Sequence, residues 1–180
     1  MNNDNPLTAL IGTWLGDKGQ DVAPDPDGIE NNAFYETFVF SETDDVSNAE
    51  SQNLAAVHYR QRVHRISDNK LIHDETGYWM WDPENDIIMH SLTIPRAVCL
   101  LAGGYIKRHN DDIIFSVTAS LDDEIWQIIQ SPFMTANATT KSFKQTLTVS
   151  ESNLSYSQTT LVDIYGKEFE HTDQNTLIRQ

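Results

Sequence analysis

Apolar and polar residues alternate along most of this chain, and sustained helical periodicity is scarce. Phe34, Glu36, Phe38 and Phe40 fall on one parity of a short run, with Tyr35, Thr37 and Val39 on the other. Within 53–66, Ala55, Val57, Tyr59 and Val63 make an apolar face opposite His58, Arg60, Arg62 and His64. The runs 71–81, 87–94, 113–120, 125–131, 143–149, 154–164 and 169–178 read as further strands. They are rich in the β-branched and aromatic residues that suit a half-buried pleated surface. Asp68-Asn69, Asp82-Pro83-Glu84-Asn85, His109-Asn110-Asp111-Asp112, Ser150-Glu151-Ser152-Asn153 and Tyr165-Gly166-Lys167 punctuate these runs as turns.

About ten strands on short connections predict an all-β fold, an antiparallel up-and-down β-barrel, with a Greek-key sandwich as the other architecture. Helix is confined to short pieces, at 5–11 and 133–141. The acidic stretch 17–32 is rich in Pro and Gly and predicts a surface loop, because Pro24 and Pro26 cannot donate to a ladder. The apolar run 96–102 ends in Gly103-Gly104, a pair that permits a bulge or a close backbone approach. It reads as a buried strand, the alternative being the contact of a homodimer.

With 180 residues and no break in character, one domain over 1–180 is expected, long enough for a sizeable core. The 27 acidic residues against 12 basic ones leave a net charge of −15, which repels phosphate backbones and anionic lipid. Nucleic acid and membrane are therefore not expected as partners. Cys99 is the only cysteine, which excludes an internal disulfide and a zinc site built on several thiolates. The N-terminus lacks the basic start and apolar core of a signal peptide, and a cytoplasmic location is the default expectation.

The candidate chemistry rests on histidines. His58 and His64 share a face with arginines and His109 sits in a polar turn, so all three read as solvent-facing. His90 shares parity with Ile88, Leu92 and Ile94, which fits a core histidine and a cavity-lining one equally. His73 shares parity with Leu71, Trp79 and Trp81, and Glu75 follows it by two positions. His171 shares parity with Phe169 and Leu177, although Asp173 and Asn175 interrupt that face. A histidine on an apolar face is more often a satisfied core residue than a ligand, so pattern alone makes both modest candidates. No HExxH, P-loop, dinucleotide fingerprint or GxSxG is present.

Gly12-Thr13-Trp14-Leu15-Gly16 resembles the GxWxG signature of the nitrobindin family, where glycines let the first strand bend and tryptophan seals one barrel end. The block from Ile72 through His73, Glu75 and Gly77 to Trp79 is similar to the family's His-x-Glu-(Ser/Thr)-Gly-Tyr block. The closing segment, from Tyr156 through His171 to Arg179, resembles its last two strands. The resemblance implies a ten-stranded, fatty-acid-binding-protein-like and lipocalin-like barrel that holds haem b near its mouth. It implies that His171 is the iron ligand and that His73 lies on the distal side as the catalytic histidine, with Thr13 and Trp14 also among the cofactor-binding residues. It further implies isomerisation of peroxynitrite to nitrate and binding of nitric oxide by the ferrous form. A carrier of a fatty acid or another small hydrophobic ligand is the alternative. The chain departs from the family in the acidic insertion at 17–32 and in the polar Thr172-Asp173-Gln174-Asn175 after His171. Aligned on Leu177 and Arg179, the family's histidine falls one residue from His171, and such a shift reverses a side chain's face.

Overall fold

Ten antiparallel strands close into a ring in a computed structural model whose described residues are 5–43 and 52–180. In chain order these are β1 (Gly12–Asp25), β2 (Gly28–Glu42), β3 (Ala55–Arg65), β4 (Leu71–Asp82), β5 (Ile87–Ile94), β6 (Val98–His109) and β7 (Asp112–Ser120). A short β8 (Ile128–Gln130) and helix α1 (Pro132–Asn137) precede β9 (Ala138–Val149), β10 (Asn153–Ile164) and β11 (Lys167–Arg179). Ring neighbours are neighbours in sequence except that β7 pairs with β9, and β11 returns to β1. Strand β8 stands outside the ring, pairing with β6 over Val98–Leu100, where β7 does not reach. The up-and-down barrel expected from the alternation is therefore present.

One end of the ring is packed solid. A 3-10 helix, Pro6–Leu10, capped by the Asn5 side chain, drives Leu7 and Leu10 into the interior. Trp14 is fully buried against them and its indole N–H donates to Leu10 O at 2.8 Å. Arg179, near the end of β11, lies over the Trp14 ring at 4.1 Å and donates to Ile11 O and Ala9 O at 2.6 and 2.7 Å. Phe38, Phe40, Tyr59, Trp79, Phe115 and Leu147 continue this core.

Strand β1 carries one extra residue between Gly16 and Gly19 relative to β2, and one between Leu15 and Gln20 relative to β11. Such a bulge bends the strand and reverses the parity beyond it. Inward positions accordingly run Trp14 and Gly16 before it, then Gly19 and Asp21 after it. Gly19 has to be a glycine, because a Cβ there would stand 2.1 Å from the Phe34 ring.

The stretch 17–32 is not a loop, which corrects the expectation from its prolines. It extends β1 and β2 into a long hairpin around Pro26 and Asp27, with Pro24 paired to Ile29. The ladder from β11 ends at Val22, so β1 is an edge strand at Pro24, where a missing donor is tolerated. Two other boundaries also differ. Only 128–130 of the run 125–131 is strand, since Asp123 takes the backbone N–H groups of Ile125 and Trp126 into a turn. The helix expected over 133–141 ends at Asn137, and β9 begins at Ala138.

Trp14→Ala is expected to cost about 3–5 kcal/mol, as removal of a fully buried large aromatic does. The midpoint of urea unfolding measures it, and a change under about 1 kcal/mol would show that the plug is not a main support of the ring.

Candidate functional site

The other end of the barrel holds a cavity of about 560 Å³. One wall is apolar, built by Leu92 and Ile94 of β5, Val98 and Leu100 of β6, Met134 of α1 and Phe143 of β9. The facing wall is polar, with Asp21, His73, Glu75, Gln158, His171 and Asp173 from β1, β4, β10 and β11. Arg65, Lys70 and Arg96 bring positive charge to the lining near the β3–β4 and β5–β6 turns.

The structure brings His171 and His73 to this one cavity. Strand β11 pairs with β10 from Asn153↔Ile178 to Ile164↔Lys167 without a shift, so His171 shares a face with Asp173, Asn175 and buried Leu177. That face is the inner one, which answers the question posed by the one-residue offset. The Nε2 atom of His171 lies 2.6 Å from Asp21 Oδ1 and 3.6 Å from Asp173 Oδ1. Asp21 and Asp173 stand directly opposite each other across the β1–β11 ladder. Burial alone would raise the Asp21 carboxyl, but hydrogen bonds from His171 and Asn32 hold it below the usual range. Burial, with the facing Asp21 charge, pushes Asp173 up to about 6 against the pull of His171. Burial opposes a charge on His171, and the bond to Asp21 with the two carboxylate charges more than offsets it, so its pKa is raised.

His73 is placed by β4, whose inward residues include His73, Glu75 and Trp79. Its Nε2 lies 2.8 Å from Glu75 Oε2, and Tyr59 donates to Glu75 Oε1 at 2.8 Å. Burial works to raise the Glu75 carboxyl, yet the His73 bond and charge bring it below the usual range. His90 is a core residue, not a cavity one: it is fully buried, stacks on Trp79 at 4.3 Å, and its Nε2 is 2.7 Å from Tyr59 Oη. His58 meets Thr76 Oγ1 on the outer side of β3, His64 stacks on Tyr35, and His109 is exposed.

Thr13 and Trp14 are not brought to the cavity. Trp14 belongs to the plug described above, and neither residue lines the polar or the apolar wall. Sequence reasoning in turn passed over Asp21, Tyr59 and Glu36. Asp21 gave no signal inside a presumed loop, whereas Glu36 stood as the lone carboxylate on the parity of Phe34, Phe38 and Phe40.

Glu36 lies beneath the polar wall, 1% exposed, and accepts from Gln61 at 2.5 Å, Asn175 at 2.8 Å and Tyr156 at 3.3 Å. Burial outweighs these bonds and raises its pKa from 4.5 to about 7. The unfolded chain releases this proton near the ordinary value and the folded chain holds it longer. The stabilisation from this group is thus present at low pH and is lost as pH rises from 4.5 to about 7. Between pH ~4 and ~8, Glu36→Gln is expected to gain on the wild type by on the order of 3 kcal/mol in urea unfolding. A stability difference that does not change with pH would refute this.

The crystal structure of Rv2717c from M. tuberculosis superposes with a TM-score of 0.70 at 21% identity, covering 97% of this chain and 94% of that one, so the two share a fold. No curated protein matches the sequence. The family model described as the THAP4-like, heme-binding beta-barrel domain matches residues 3–179, nearly the whole chain. The chain belongs to the THAP4-like, heme-binding beta-barrel domain family, the nitrobindin family.

Proposed function

We propose that this barrel binds haem b in the cavity and that the loaded protein acts on nitrogen oxides, isomerising peroxynitrite to nitrate and binding nitric oxide. The observation that carries the reading is a histidine backed by a carboxylate, facing an apolar wall across a cavity of about 560 Å³. That volume lies within the range of ordinary cofactor and ligand sites.

The residues present fit the group. Leu92, Leu100 and Phe143 offer apolar surface to a porphyrin, and Lys70 and Arg96 offer charge to its propionates, Arg65 being tied to Glu30 and Asp68. A metal-ligating histidine commonly gives its second ring nitrogen to a carboxylate, which orients the ring and strengthens it as a donor. Asp21 is that partner for His171, and Asn32 holds Asp21 in turn at 2.8 Å. Bound haem supplies a redox-active, Lewis-acidic iron. The chain would contribute His171 to hold the iron, His73 as a polar group at the cavity and an apolar wall that limits water.

Titration of the apoprotein with hemin is expected to give a saturable Soret band, lost in His171→Ala and weakened about 10–100-fold in Asp21→Asn. An unchanged spectrum in His171→Ala would remove His171 as the iron ligand. Wild type that gives no band yet binds an uncharged fluorescent hydrophobic probe would turn the reading to a carrier. Stopped-flow decay of peroxynitrite is expected to accelerate with the loaded protein and to slow in His73→Ala. A loaded protein with no effect on that decay would dismiss the reactivity while leaving haem binding in place.

A further inference from the structure

We propose that Tyr59 and Glu75 are positioning residues for His73, and that with His90 they form a hydrogen-bonded relay that fixes the imidazole by its Nε2 on the wall that the cavity's occupant would meet. The proposal deepens the functional reading above and rests on it only for what that occupant is.

The relay has one consistent polarity. Glu75 is 2% exposed and takes two donors, the Tyr59 hydroxyl on Oε1 and the His73 ring on Oε2, each at 2.8 Å. Tyr59 has a single proton, and giving it to Glu75 obliges its oxygen to accept from His90 Nε2, at 2.7 Å. His90 must then carry its proton on Nε2, and its buried Nδ1 has no partner among the described residues. Trp79, stacked on His90 with 8° between the planes, holds that ring in place. Burial also drives the His90 pKa down to about 4, so the inner end of the relay is neutral near pH 7. The Glu75 charge is therefore directed at one group that can answer it, His73.

The surroundings of His73 act in the same sense. Glu36 of β2 and Asp173 of β11 add negative charge, while Val63, opposite on β3, adds none. His171 of β11 opposes. Burial disfavours the imidazolium, and the carboxylates, Glu75 foremost, outweigh it and raise the pKa. Protonated and held at Nε2, His73 carries a second N–H, on Nδ1, that Glu75 does not take. The ligand class this recognises is a small hydrogen-bond acceptor, an oxyanion or a polar diatomic, on a wall otherwise hostile to anions.

Side-chain ¹⁵N–¹H spectra of the haem-free protein test this without reference to haem binding. In wild type, His90 is expected as a neutral Nε2–H tautomer at pH ~7, and His73 is expected to titrate above its ordinary value of about 6.5. Glu75→Gln, nearly isosteric, is expected to lower the His73 midpoint by at least about one pH unit, a tenfold change in its protonation equilibrium. Tyr59→Phe, which takes a donor from Glu75, is expected to move the His90 Nε2–H resonance and to raise the His73 midpoint. It carries the test should Glu75→Gln not fold. A charged or Nδ1–H His90 in wild type, or a His73 midpoint unmoved in folded Glu75→Gln, would overturn the relay. Hemin titration of the same variants keeps the two questions apart, since loss of haem binding without these spectral changes counts against the cofactor alone.

Discussion

The seam between β1 and β11 closes the ring, and both ends of the molecule are set by it. Its lower rungs put Trp14 beside Arg179, so the guanidinium can clamp the 3-10 helix and cap the buried indole. Its upper rungs put Asp21 opposite Asp173, with His171 two residues along the same inner face. Between the two lies the bulge at 16–19. Without that extra residue, Asp21 would point to solvent and the His171 ring would lack its carboxylate. One irregularity in one strand thus couples the sealing of the barrel to the chemistry of its mouth.

The barrel was legible because alternation reports strands directly, and all but the shortest strands are long enough to show it. The run 17–32 was misread for an equally physical reason. Proline argues against a strand only where a ladder needs its donor, and whether β1 is an edge at Pro24 depends on where β11 ends, a fact of tertiary pairing. His73 and Glu75 could be placed together on parity alone, and so could His171 and Asp173. Their partners could not. Asp21 reaches His171 across 150 positions of chain and Tyr156 reaches Glu36 across 120. No local pattern encodes such a contact. His90 shows the remaining ambiguity: an apolar parity fits both a core residue and a cavity residue, and only its Tyr59 bond and Trp79 stack decide between them.

The cavity itself follows from the division of the interior into two kinds of surface. At the plugged end, Trp14, Phe38, Phe40 and Leu10 fill the space between strands, the one polar atom among these side chains, the Trp14 indole N–H, being satisfied by Leu10 O. Toward the mouth, the inner positions of β1, β2, β4 and β11 carry Asp21, Glu36, Glu75, His73, His171 and Asp173. Ionisable groups taken out of water need partners at hydrogen-bond distance, so they draw together along their own wall and do not reach across the barrel. The opposite wall of Leu92, Ile94, Val98 and Leu100 offers them nothing and stays separate. A void between a polar and an apolar surface is the outcome, and a molecule with an apolar body and one polar centre complements both. That complementarity, more than any single histidine, ties the fold to the function proposed for it.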